Sequence, residues 1–254
     1  LNISSALPAF QVSGIGIDTT KLEGAIGEYR TKEVEKDGKR TTVEEITGYN
    51  TVKVLFNKAG QISGKWNVNI KATNKPKANT AAITSKGVAI EGLSINVQST
   101  KTRTYMNTEV VIPDGVIIFA EGEYSAAEPN VYPGGRVSIV AEDLAKAYAK
   151  AEANTLIAVV SADSYYAENT LKSLVKLSIG RNVNIKSTMD ILISGATGAD
   201  ISAITDSGST KEDGKGGSYG LLTGGGSKAM NYIDRKVDVT IGDNFNVYSM
   251  NNVT

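Results

Sequence analysis

Apolar and polar residues alternate with a period of two through much of this chain. Asn67-Val68-Asn69-Ile70-Lys71-Ala72-Thr73 puts Val68, Ile70 and Ala72 on one side of an extended segment and polar residues on the other. That is the pattern of a strand with a single buried face. The unit returns as Asn182-Val183-Asn184-Ile185-Lys186-Ser187-Thr188 and, degraded, as Ser94-Ile95-Asn96-Val97-Gln98-Ser99-Thr100. Ile241-Gly242-Asp243-Asn244-Phe245-Asn246-Val247-Tyr248-Ser249 matches Ile179-Gly180-Arg181-Asn182-Val183-Asn184-Ile185-Lys186-Ser187 position by position. Looser copies begin at Val116, Val137 and Ile157.

The spacing of these units predicts how they are arranged. Ile95, Val116, Val137 and Ile157 fall roughly 20 residues apart, whereas Val175, Val183, Ile191 and Ile201 are about 8 to 10 apart with Gly or Asn joints. Short strands inside a longer repeat describe a solenoid, in which stacked coils share an interior that none could form alone. The spacing predicts coils of roughly 20 to 25 residues, on the order of ten of them, and a rod of roughly 50 Å. The Asn residues suit either left-handed turn positions with ladders from coil to coil, or plain surface turns.

Three stretches depart from the simple pattern. Residues 142–154 (EDLAKAYAKAEAN) have helix-forming composition, yet Ala145, Ala147, Ala149, Ala151 and Ala153 keep strict period two, which favours a strand. Residues 28–45 are densely charged around Asp37-Gly38 and predict a projecting β-hairpin. Residues 206–228 are rich in Gly, Ser and Lys and predict a loop excursion. The expectation is an all-β chain forming one right-handed parallel β-helix (solenoid) over residues 1–254, with these two excursions.

Composition narrows the chemistry. Lys+Arg 27 balance Asp+Glu 27, which argues against a nucleic-acid partner. The chain has neither Cys nor His, so disulfides, thiolate nucleophiles, Ser-His-Asp triads and His-ligated metals are excluded. Gly216-Gly217-Ser218-Tyr219-Gly220 satisfies GxSxG but has no His to activate the serine. Residues 208–216 approach a phosphate loop with one residue too many and a Gly where Ser or Thr should follow the lysine. Asp200, Asp206, Asp213 and Asp243 are scattered without calcium-binding spacing. The sequence therefore predicts no catalytic residue, no metal and no cofactor. The residues suited to contacting a partner are those of the hairpin: Tyr29, Arg30, Lys32, Lys36, Lys39 and Arg40.

The units at 179–187 and 241–249, with the Ala-x-Ala stretch, resemble coils of filamentous-haemagglutinin-type exoproteins, most of all the leukotoxin-type filamentous adhesins of Gram-negative anaerobes. The resemblance implies a right-handed parallel β-helix exported with an outer-membrane secretion partner. It also implies a secreted or cell-surface location and contact with a host cell-surface protein or glycan, as adhesin or cytotoxin. On this view the sequence is an internal, monomeric fragment of a longer chain. A carbohydrate-active β-helix enzyme such as a polysaccharide lyase is the alternative, and a phage or surface-layer fibre segment a third.

Overall fold

The computed structural model describes residues 1–5, 10–36, 38–83, 88–122, 135–152, 155–206, 218–219 and 222–254. Every regular element among them is a strand. The chain runs β1 (Asn2–Ser5), β2 (Phe10–Ile26), β3 (Glu28–Lys36), β4 (Lys39–Gly48), β5 (Asn50–Leu55) and β6 (Gln61–Gly64). It continues through β7 (Asn67–Asn74), β8 (Lys77–Ile83), β9 (Val88–Ile112) and β10 (Ile117–Ala120). Then come β11 (Arg136–Glu152), β12 (Thr155–Ile179), β13 (Asn184–Ser187), β14 (Ile191–Asp206), β15 (Ser218–Tyr219), β16 (Leu222–Ile241) and β17 (Asn246–Ser249).

Apart from the antiparallel pair β3–β4, these strands form three parallel sheets. A five-stranded sheet holds β1, β7, β8, β11 and β14; a six-stranded sheet holds β2, β5, β9, β12, β15 and β16; a four-stranded sheet holds β6, β10, β13 and β17. The chain visits them in one fixed order, five-stranded, six-stranded, four-stranded, and then starts again. The roughly 20-residue steps of the sequence are thus successive sides of one circuit: Ile95 lies in β9, Ile117 in β10, Val137 in β11 and Ile157 in β12. A full circuit is about three times longer than the spacing alone suggested. Asp114 bonds to Arg181 at a separation of 67 residues, and Asn182 to Asn244 at 62. The described chain is therefore four rungs deep instead of ten.

Where all three sheets meet, β-branched and Leu side chains close an apolar core. Val68, Ile70, Val110, Ile118, Ile139, Val175, Leu177 and Ile185 are all buried there. Farther along the strands only the five- and six-stranded sheets face each other, and side chains shrink to fit. Ala145, Ala147, Ala149 and Ala151 are buried in β11, so this segment is strand as far as Glu152 despite its helix-forming composition; Ala153 and Asn154 lie outside the described residues. Burial of one face and pairing on both sides outweigh a helix propensity worth only tenths of a kcal/mol per residue. Opposite the alanines the lining is polar: Thr102 donates to the Tyr148 carbonyl at 3.2 Å, and Asn96 donates to the Tyr165 hydroxyl at 3.1 Å.

At the boundary between the apolar core and the alanine stretch sits Asp143, with no solvent exposure. Its carboxylate accepts from Ser173 Oγ at 2.6 Å and from Thr108 Oγ1. Burial pushes this carboxyl above its ordinary value, and the two hydroxyls only partly offset that.

The Asn positions match the turn-and-ladder reading. Asn182 and Asn244 both have left-handed backbone, φ 55° and 56°, and Asn244 Nδ2 donates to Asn182 Oδ1 at 3.1 Å. The expected loop over 206–228 needs correction at its end. Ser218–Tyr219 and Leu222–Lys228 are strand paired to β12, while residues 207–217 and 220–221 lie outside the described residues. Gly225 shows why: a Cβ there would sit 2.6 Å from the Asp163 carbonyl oxygen, so glycine permits close approach to a strand that already exists as template.

Candidate functional site

The hairpin leaves the six-stranded sheet at Gly27 and returns at Gly48. Gly27 has φ +92°, and a Cβ there would lie 2.8 Å from the Gly48 carbonyl oxygen and 2.9 Å from Tyr105 Cβ. Only glycine makes this turn at such proximity. β3 and β4 then pair from Glu28–Gly48 out to Lys36–Lys39, and one face of the hairpin lies on the outer surface of β9.

Arg103 fixes that face. In β9 the inward positions Thr102 and Thr104 alternate with outward Arg103 and Tyr105, yet the Arg103 side chain is only 3% exposed, because the hairpin covers it. Arg103 Nε donates to both Glu44 carboxylate oxygens at 3.0 Å, Nη2 donates to Glu44, and Nη1 reaches Glu23 at 3.5 Å. The guanidinium also lies 4.5 Å from the centre of the Tyr29 ring. Tyr29 packs edge-on against Tyr105 at 6.3 Å and donates to Glu23 at 3.2 Å, and Tyr105 reaches Glu44 at 3.5 Å.

The electrostatics follow from this clamp. Hydrogen bonding from Arg103 holds the Glu44 carboxyl below its ordinary range against the opposing effect of burial. Burial pushes Glu23 upward, but Lys21 and Arg103 outweigh it and leave this carboxyl lowered as well. Burial raises the Tyr29 and Tyr105 hydroxyls, so both phenols stay protonated. Both carboxylates are therefore charged and engaged, a state suited to holding a shape and ill suited to accepting a substrate proton.

Between the hairpin face and the sheet lies a cleft of about 700 Å³, lined by Lys21, Glu23, Tyr29, Arg30, Thr31, Thr42, Glu44, Lys101 and Arg103. Of the six residues expected from the sequence, Tyr29 and Arg30 reach it. Lys32 pairs with Glu45 at 3.4 Å, beside Arg30, whose Nη2 is 2.7 Å from the same oxygen. Lys39 and Arg40 are exposed near the tip, and of Lys36 only its backbone position opposite Lys39 is described. The residues that build the cleft floor, Glu23, Lys101 and Arg103, were not singled out by sequence. Lys101 and Arg103, outward on either side of inward Thr102, are indistinguishable from a solvated face until the hairpin is placed on them. Among the described residues no group of three or more acidic side chains is placed to hold a metal ion. No family model, no curated protein and no solved structure matches this chain.

Proposed function

We propose that the chain is a segment of a right-handed parallel β-helix from a secreted or cell-surface bacterial adhesin or cytotoxin of the leukotoxin-type filamentous class. In this reading it binds a host cell-surface protein or glycan without catalysis, and the parent chain leaves the cell with an outer-membrane secretion partner. Three parallel sheets visited in constant order support the β-helix. The observation that carries the binding role is the cleft under the hairpin. A buried arginine tethers the hairpin against the sheet, so the cleft is preorganised, and ordering it on binding costs little. Its rim offers ammonium, guanidinium, hydroxyl and carboxylate groups within one concave surface, which suits a hydroxyl-rich or acidic glycan, or a polar peptide.

The test is binding of the labelled chain to leukocytes and epithelial cells, compared with K21A/K101A and with an unrelated β-helix. Neither substituted lysine is part of the Arg103–Glu44 clamp, so the hairpin stays in place. Saturable binding reduced about tenfold or more in the variant supports the cleft as contact site. Binding no better than that of the unrelated β-helix removes the adhesin reading.

A further inference from the structure

The floor of the hairpin cleft lies on the side of the stack: Lys101 and Arg103 belong to β9, which has β2 on one side and β12 on the other. Hydrogen-bonding capacity in this cleft is distributed unevenly. Its carboxylates are already occupied. Glu44 accepts from Arg103 Nε and Nη2 and from the Tyr105 hydroxyl. Glu23 accepts from Arg103 and from the Tyr29 hydroxyl, and Lys21 Nζ stands 3.1 Å from its other oxygen. A carboxylate accepts at about four positions, so little acceptor capacity is left for a ligand.

The cations are in the opposite state. Lys101 Nζ is 3.8 Å from its carboxylate neighbour Glu168, outside hydrogen-bond distance, and Glu168 itself accepts from Tyr166 and Thr170. The Lys101 ammonium lies 5.6 Å from the centre of the Tyr166 ring, which holds it at the cleft. Arg30 directs Nε and Nη2 at one oxygen of Glu45, so its Nη1 makes no hydrogen bond among the described residues. Lys21 has three donors and pairs with Glu23 alone among the described residues. The cleft therefore has donors to give, and a ligand must bring acceptors.

Charge and shape narrow the ligand further. Lys21, Arg30, Lys101 and Arg103 line the cleft against only Glu23 and Glu44, while Glu45 and Glu168 stand beside Arg30 and Lys101. A single negative group is drawn in, whereas a densely charged polyanion meets the flanking carboxylates. No aliphatic side chain lines the cleft, and the Tyr29 ring is covered by Arg103 on its face and packs edge-on against Tyr105. A peptide thus finds no anchor pocket. Thr31 and Thr42 add hydroxyls that both donate and accept, as sugar hydroxyls do. The volume of about 700 Å³ suits a ligand of small-molecule size, hence the end of a glycan chain.

We propose that the cleft binds the terminal sugar of a glycan, one that carries a single carboxylate among its hydroxyls, as sialic acids do. Lys101 and the unused Nη1 of Arg30 supply donors to the carboxylate, and Thr31 and Thr42 pair with ring hydroxyls. This ligand class rests on the cleft being the contact site proposed above.

The test is titration of the 254-residue chain with sialyllactose, lactose, a heparin octasaccharide and a poly-Glu peptide, followed by calorimetry and saturation-transfer NMR. K101Q, R30Q and K186Q are measured alongside, each checked for an unchanged strand signal by circular dichroism; Lys186 is exposed on the four-stranded sheet. The expected result is saturable binding of sialyllactose, at least tenfold weaker binding of lactose, a loss of about tenfold in K101Q and in R30Q, and no change in K186Q. Lactose, heparin or poly-Glu bound as tightly as sialyllactose overturns the proposal, as does a K101Q variant that binds like wild type. Cells bound through the cleft by a chain that ignores sialyllactose remove this ligand and leave the adhesin reading. Sialyllactose bound by a chain that ignores cells keeps the ligand and removes that reading.

Discussion

Replacing Asp143 with Asn isolates the effect of burying one carboxyl. The side chain is fully shielded and its carboxylate accepts from the hydroxyls of Thr108 and Ser173. In the unfolded chain the group titrates near its ordinary 3.8; in the folded chain burial raises that value. Between the two, the folded state holds more protons than the unfolded state. Wild-type stability from this residue is therefore complete below the unfolded value and is lost as pH rises through the folded one, at about 1.4 kcal/mol per pH unit within that window. Asn keeps an acceptor for one hydroxyl and offers an amide to the other, so at pH 4 the two proteins should agree within about 1 kcal/mol. By pH 7 the D143N variant should have gained on wild type. Glu23, Glu44, Asp114 and Glu142 are all lowered and make stability rise with pH, but equally in both proteins, so they cancel in the difference. Urea unfolding at pH 4, 5.5 and 7 measures the difference directly. A gap between the two proteins that does not change with pH would refute the desolvation of Asp143.

Three further substitutions probe other parts of the structure. R103M removes the clamp; because Glu44 and Glu23 are about a third exposed and can rehydrate, the cost should be about 1–3 kcal/mol, below the range for a wholly buried pair. Limited proteolysis should then cut within residues 28–48 while the strand signal persists; resistance equal to wild type would count against the clamp. A149L overfills the gap between the two long sheets and should cost about 1–3 kcal/mol in chemical denaturation, where tolerance without loss would mean the gap is wider than described. N182A strains a left-handed turn and removes the acceptor for Asn244, and should lower stability by about 1–2 kcal/mol; N182G should recover most of it, and a glycine variant no better than alanine would show that backbone strain is not the cause.

Period two was enough to identify the strands, because a half-buried strand cannot hide its alternation. It was not enough to assign them to sheets. Asn67–Thr73 and Asn182–Thr188 are near-identical in sequence, yet β7 belongs to the five-stranded sheet and β13 to the four-stranded one. Ile179–Ser187 and Ile241–Ser249, by contrast, lie directly on each other. What distinguishes true stacking partners is the turn between strands, Gly180-Arg181-Asn182 over Gly242-Asp243-Asn244, where left-handed Asn repeats in register. The hairpin too was legible from Asp37-Gly38 and its charged arms. Its docking was not, since Arg103 and Glu44 are 59 residues apart and each looks like an ordinary solvated charge until the two meet.

The long reach of the sheet contacts bears on how the molecule assembles in time. Hydrogen-bonded partners in neighbouring rungs, such as Asn169 with Asn231, are separated by 62 residues, whereas Arg30 and Glu45 in the hairpin are separated by only 15. Loop-closure entropy must be met across a whole circuit before any parallel pair gives stability in return. Refolding should accordingly be slow, with the local hairpin formed early and the wide circuits closing one upon another, each finished layer serving as the mould for its successor.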